Sequence, residues 1–262
     1  MEVYWPRVIK FKKEKREEDE IEKIKREITS YILKVKNEEK RKMLESVYFN
    51  NLEFVKTKEE MDLLFKIIQA MDKVDRKFFV LNKEMAYFDM ALPILENQTI
   101  SQPSTVARML LLLFKDIEEK KDVKVYEIGL GSGWNAALMK YILKLYKKKG
   151  QVYSVDRIKK LVDFAKKNLK KVKIKIYAGW KDGFKFAKNK KFDYIMFTAG
   201  IPSLEIEKQV EKMARKNLKK KGRLIVPQTL GRIYIYEKHD GIKLEKTLEE
   251  YSFVPIFRGK VL

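Results

Sequence analysis

The chain has no cysteine and a single histidine among its 262 residues. The first absence excludes disulfides, zinc–thiolate sites and a cysteine nucleophile. The second excludes multi-histidine metal sites and leaves one candidate for a histidine-dependent triad, so neither a metal nor such a triad is expected. That histidine, His239, lies in Glu237-Lys-His-Asp-Gly241, which reads as a turn between two strands. Long apolar runs are missing too: the longest, Met109–Phe114, falls far below the roughly 18 residues a membrane-spanning helix requires. The N-terminal Met1-Glu-Val-Tyr-Trp-Pro-Arg7 lacks the apolar core of a signal peptide. A cytoplasmic protein with no membrane partner is expected, working without the commonest general base.

Positive charge is what the chain has in excess, with 59 Lys and Arg against 37 Asp and Glu, a net +22. Such a surface would steer nucleic acid toward it. The same composition, rich in Lys and Glu with no Cys, is also the general habit of hyperthermophile proteins. The lysines are spread over nearly every helix rather than gathered in a stripe, which favours the second reading.

Residues 1–58 read as a charged helical N-terminal extension and 59–262 as the main domain. Within the extension, Ile21, Ile24, Ile28, Tyr31, Ile32 and Val35 recur at spacings of three and four, predicting one long helix from Phe11 to about Leu44. It packs on the body or forms an arm for a partner such as RNA. A helix over Glu59–Asp72 and a loop region follow, then a helix over Ser104–Glu118 whose entrance is capped by Ser101–Thr105.

Beyond residue 120 strand and helix patterns alternate. Strands are expected at Lys124–Ile128, Gln151–Val155, Lys173–Ala178, Phe192–Phe197 and Arg223–Val226. Helices lie between them at Asn135–Tyr146, Arg157–Lys171 and Leu204–Leu218, and a hairpin of Arg232–Lys238 with Lys243–Tyr251 closes the chain. The class is therefore α/β: a doubly wound, mostly parallel, Rossmann-like sheet with an antiparallel edge.

The first of these strands runs into Glu127-Ile-Gly-Leu-Gly-Ser-Gly133 and then a helix. Glycines at 129, 131 and 133 let a backbone turn approach a nucleotide-like ligand. A dinucleotide fingerprint would need its third glycine at 134, which is Trp134; the spacing opened by Glu127 fits S-adenosylmethionine better than NAD. Asp156 ends the next strand, where an acid accepts both ribose hydroxyls. Glu127 is placed for the cationic methionyl end, directly or through water. Asp182, in Ala178-Gly-Trp-Lys-Asp-Gly183, is the candidate acceptor for the adenine amino group, with Trp180 as a stacking partner.

These residues, taken with others, resemble the protein-L-isoaspartate O-methyltransferases. The carrying segments are Phe78-Phe-Val, Ala86-Tyr-Phe-Asp89, Leu92-Pro-Ile94, Gln98-Thr-Ile-Ser-Gln-Pro103, the glycine turn, Thr198-Ala199, Gly222-Arg-Leu-Ile-Val-Pro227 and Phe253-Val-Pro255. They span about residues 60–262, and the Gln-Thr-Ile-Ser segment is more specific than the glycines. The resemblance implies a class I methyltransferase fold and methylation of the carboxylate of isoaspartyl residues in damaged proteins. It also implies that Thr99 and Ser101 hold that carboxylate, and that Gln98, Thr198, Val254 and Pro255 border the peptide. The departures are Gly179-Trp-Lys-Asp-Gly183 for a usual Gly-Asp-Gly, Trp134 for a Tyr, Val74-Asp-Arg76 for Val-Pro-Arg, and Pro227-Gln-Thr229 for Pro-Val-Gly. An RNA methyltransferase on the same fold is the alternative, although Thr198-Ala-Gly-Ile-Pro202 lacks the Asn- or Asp-Pro-Pro motif of amino-group methylation. A cofactor-binding module without activity is a third reading.

Overall fold

The structure, a computed structural model, describes residues 5–261. Three helices open it: α1 (Trp5–Leu33), α2 (Glu38–Leu52) and α3 (Lys58–Lys73). The single helix expected from Phe11 to Leu44 is therefore two. The Asn37 side chain accepts from Lys40 N at 2.7 Å and starts a new helix, with Glu38 and Glu39 complementing its dipole. The apolar stripe survives the break because α1 and α2 both pack on α3. Ile28, Ile32, Met43, Leu44 and Val47 are buried in one core with Leu64 and Ile67. α3 starts at a capping box, Thr57 with Glu60, and buries apolar residues on almost every side.

A loop over residues 74–91 leads to a short antiparallel pair, β1 (Leu92–Pro93) and β2 (Thr99–Ile100), and then to α4 (Pro103–Phe114). The cap expected from Ser101–Thr105 comes from elsewhere. Gln102 is the N-cap and makes no side-chain cap bond, and Pro103 has no N–H to satisfy. Asp89, 15 residues upstream, accepts from Ser104 N at 2.8 Å instead.

The alternating part follows as β3 (Asp122–Ile128), α5 (Trp134–Leu145), β4 (Lys149–Asp156), α6 (Lys159–Lys171), β5 (Tyr177–Trp180) and α7 (Gly183–Phe186). It continues as β6 (Phe192–Phe197), α8 (Leu204–Asn217), β7 (Leu218–Pro227), β8 (Leu230–Gly231), β9 (Ile233–Lys238), β10 (Ile242–Lys246) and β11 (Tyr251–Ser252). Seven strands form the main sheet in the order β10-β9-β7-β6-β3-β4-β5. The five from β7 to β5 are parallel; β9 and β10 add the antiparallel edge. Val125, Tyr194, Met196 and Ile225 face the core shared with α3 to α6, and Tyr126, Phe192, Ile195 and Phe197 face α8 on the other side. The sheet is thus doubly wound, as the alternation predicts.

Three strands differ from expectation, β7 by starting at Leu218 and not Arg223. β5 begins at Tyr177, not Lys173, because Lys173 adopts φ 56° and Ile174 N closes back on Leu169 O, finishing α6. The final hairpin stops at Lys246: Thr247 Oγ1 accepts from Ile233 N and donates to Glu249 O, turning the chain so that β11 pairs with β8. No described helix is long and apolar enough to cross a membrane.

Candidate active site

The carboxyl ends of β3, β4, β5 and β6 converge on one cleft, the position at which ligands bind in such sheets. Gly129, directly after β3, has φ 103°, and a Cβ there would lie 2.1 Å from Thr198 Oγ1. That hydroxyl donates to Gly129 O at 2.6 Å, so β6 clamps the turn and the position admits only glycine. Gly131 also has a positive φ, 51°, but the nearest atom to its would-be Cβ is Ile94 Cδ1 at 3.7 Å. The space over Gly131 belongs to the cleft, and a side chain there would occupy it. Gly133 lies below, as the left-handed N-cap of α5 against Ala165.

Asp156, at the end of β4, reaches across to the turn. Its Oδ2 accepts from Gly131 N and its Oδ1 from Ile158 N, both at 3.0 Å. Burial pushes this carboxyl up, and the backbone N–H groups act the other way. It remains on the cleft wall, with lone pairs left to accept from a ligand. Gln98, Thr99, Thr198, Val254 and Pro255 line the same cleft. Residues far apart in sequence therefore meet: the β1–β2 segment, the glycine turn, the β4 acid and the C-terminal strap.

Four expected residues lie outside that wall. Glu127 is fully buried beneath the turn, accepting from Asn135 Nδ2 at 2.9 Å and from Ser154 Oγ. Burial pushes its carboxyl up to about 8, against the pull of those two donors. Ser101 is half-buried next to Thr99, with its carbonyl accepting from Arg76 Nη2 at 3.2 Å. Gly133 has been placed above. Asp182 caps α7, its Oδ1 accepting from Phe184 N and Lys185 N, while its Oδ2 accepts from Gly259 N at 3.0 Å. Trp180 does not face the cleft either. Its Nε1 donates to Arg157 O and Val261 O, and Lys260 Nζ sits 3.7 Å from the ring centre.

The cleft is also lined by Ile158, Leu161, Gly183, Phe184, Ile256 and Phe257. Sequence reading missed these because apolar cleft residues carry the same pattern as core residues. It also passed over the role of Arg76, noted only as part of a departure. This guanidinium is fully buried and donates to the carbonyls of Ala86, Met90 and Ser101 at 2.7–3.2 Å. Burial pushes it down to about 10, with Asp89 nearby acting the other way. His239 is exposed in the β9–β10 turn, away from the cleft.

Comparison with known proteins agrees with this geometry. The model of the protein-L-isoaspartate(D-aspartate) O-methyltransferase family matches residues 51–261. A protein-L-isoaspartate O-methyltransferase of Pyrococcus horikoshii is 36% identical over 202 residues, covering 73% of this chain and 84% of the relative. One from Thermococcus onnurineus is 39% identical over 188 residues, covering 69% and 77%. Among solved structures, a protein-L-isoaspartate O-methyltransferase from Plasmodium falciparum in complex with S-adenosyl-L-homocysteine superposes with a TM-score of 0.64 at 23% identity. It covers 84% of this chain and 98% of its own; at that identity the likeness concerns the fold. With the family model matched along most of its length and its motifs gathered at one cleft, the chain belongs to the protein-L-isoaspartate(D-aspartate) O-methyltransferase family.

Proposed function

We propose that the cleft transfers a methyl group from S-adenosylmethionine to the free carboxylate of L-isoaspartyl residues in damaged proteins. The observation that carries this reading is the meeting of Asp156 and the Gly129–Gly131 turn with Gln98 and Thr99 in one cleft. One half is suited to a nucleoside and the other to an acceptor. The cofactor supplies an electrophilic methyl group on a sulfonium sulfur. Asp156 accepts the ribose hydroxyls, and Gly131 keeps the backbone close to the ligand. Phe184 and the apolar wall of Ile158 and Leu161 border the adenine, and a backbone group near Lys181–Gly183 meets its amino edge. Asp182, which does not line the cleft, supports that edge as the cap of α7.

On the acceptor side the chemistry needs little. An isoaspartyl carboxylate, with a model value of about 3.3–4.3, is ionised at neutral pH, so no group has to remove a proton. The lack of cysteine and the remote position of His239 are no obstacle. The hydroxyls of Thr99, on the cleft wall, and of Ser101, just beyond it, orient the carboxylate without quenching it, as a pair of lysines would, and positioning supplies the rate. Thr198, Val254 and Pro255 border the peptide. Glu127 acts from beneath, fixing Asn135 at the start of α5 and so the far side of the turn. The methyl ester then closes to a succinimide without further help from the protein.

The nucleic-acid alternative rests on the net charge and the N-terminal helices, and Ile28 and Ile32 of those helices pack into the core. The test is methyl transfer from labelled S-adenosylmethionine to an isoaspartyl peptide, its aspartyl twin and bulk RNA. Base-labile label on the isoaspartyl peptide alone is expected. Stable label on RNA would overturn the reading.

A further inference from the structure

The acceptor segment Gln98–Gln102 is paired with β1 through Thr99 and Ile100, and from Ser101 onward its position is set by groups that do not face the cleft. We propose that Asp89 is the positioning residue of this segment, and that α2 holds Asp89 and α4 in register with it. This rests on the acceptor role given above to Thr99 and Ser101.

Asp89 sits in the loop before β1 and bridges to the start of α4. Its Oδ1 accepts from Ser104 N at 2.8 Å, and its Oδ2 from Ser104 Oγ at 2.6 Å, Gln102 Nε2 at 3.2 Å and Asn50 Nδ2 at 3.1 Å. It replaces the missing local cap of α4, and its negative charge complements the positive end of that helix. The bonds therefore fix the chain immediately after Ser101. Arg76 fixes it from the other side, holding Ser101 O together with Met90 O, the residue after Asp89. Two charged side chains thus tie the 86–90 loop to the 98–104 segment, and neither lines the cleft.

The last turn of α2 completes the arrangement. Asn50 Nδ2 contacts both Asp89 Oδ2 and Ser104 Oγ, at 3.1 and 3.2 Å, and the buried Asn51 Nδ2 donates to Ser104 O at 3.2 Å. A plain helix-packing contact would need only apolar residues here. The sequence instead has two adjacent asparagines, both aimed at the first turn of the helix that follows the acceptor segment. A shift of α2 would reach Thr99 and Ser101 through Ser104 and Asp89. Asp89, Asn50 and Asn51 make no bond to the cofactor half built on β3 and β4; of this network Arg76 alone reaches it, over the ring of Trp134 at 5.3 Å.

The experiment compares wild type with D89N, N51L and the double variant N50D/D89N. It measures isoaspartyl-peptide kinetics, S-adenosylhomocysteine affinity by calorimetry, and amide hydrogen exchange over residues 98–104. In D89N and N51L, kcat/KM for the peptide is expected to fall tenfold or more and exchange over 98–104 to accelerate. Affinity for S-adenosylhomocysteine is expected to change less than twofold. N50D returns a carboxylate within reach of Ser104 Oγ and is expected to recover at least a third of the loss in D89N. Unchanged exchange in D89N, or cofactor affinity falling in step with turnover, would overturn the proposal. A wild type that leaves the peptide unmethylated would instead remove the acceptor reading, while the exchange data still decide whether Asp89 holds the segment.

Discussion

Glu127 shows how much one residue can carry in this fold. Its carboxyl is out of contact with solvent and is pushed from 4.5 up to about 8 by burial. A raised carboxyl means that between those values the folded protein holds a proton which the unfolded chain has released. The group's contribution is therefore fully present below about 4.5, is lost as pH rises toward 8, and is constant above that. Replacing it with Gln, which keeps the bonds to Asn135 and Ser154 and cannot ionise, should remove that fall. E127Q is expected to gain Tm relative to the wild-type protein without cofactor as pH rises from 5 to 8, with the difference levelling beyond. The upper limit is a few kcal/mol, at about 1.36 kcal/mol per pH unit. Parallel Tm curves from pH 5 to 9 would mean that Glu127 is ionised in the fold. At this scale the sequence identified the residue and its neighbourhood. It did not give the burial, because an acid at a strand end reads the same whether the strand end is open or covered.

At the scale of elements, the C-terminal strap is the part most dependent on tertiary contacts. It runs from Val254 past the cleft and is held at several points. Gly200 N donates to Val254 O and Ile256 N to Gly200 O, Val261 N donates to Arg157 O, Lys159 N donates to Val261 O, and Asp182 receives Gly259 N. Trp180, read from sequence as a stacking partner for the base, fastens this strap through its indole N–H. Asp182 links two elements, the start of α7 and the strap. D182A is expected to cost about 1 kcal/mol for the lost cap and to weaken S-adenosylhomocysteine binding severalfold. Hydrogen exchange at residues 259–261 should accelerate. If affinity fell while exchange in the strap stayed the same, Asp182 would be a direct adenine contact instead. The third-strand motif was legible as ending at the cleft, which Lys181 and Gly183 line. The use of its side chains was not, because two of the groups they bind are some 80 residues away in sequence.

For the whole molecule, the N-terminal helices matter more than their charge suggests. The core passes without a break from α1 and α2 into α3 and α4, and the family match begins at residue 51, within α2. Ile28 and Ile32 of α1 are buried against this core, and the Tyr31 hydroxyl donates to Asp72 at 2.8 Å. Removing residues 1–34 should cost on the order of 3–6 kcal/mol at about 1.5–3 per buried isoleucine. That corresponds to a Tm lowered by roughly 10 °C, with isoaspartyl methylation retained. Removing residues 1–58 also deletes Met43, Leu44, Val47 and Asn51, all buried, and is expected to abolish cooperative melting and activity together. Equal Tm for full-length and 1–34-deleted protein would detach α1 from the core.

The sequence by itself determined the alternation of strands and helices, the glycine turn, the acid at the end of β4 and the family. Each of these is written in local patterns: apolar periodicity, residues that permit positive φ, and short motifs of fixed spacing. The break between α1 and α2, the cap of α4 by Asp89, the burial of Glu127 and the binding of Trp180 and Asp182 to the strap were decided only in three dimensions. Each depends on which donor or acceptor is brought close by packing, and a polar side chain's nearest neighbour in space leaves no trace in the residues beside it in the chain.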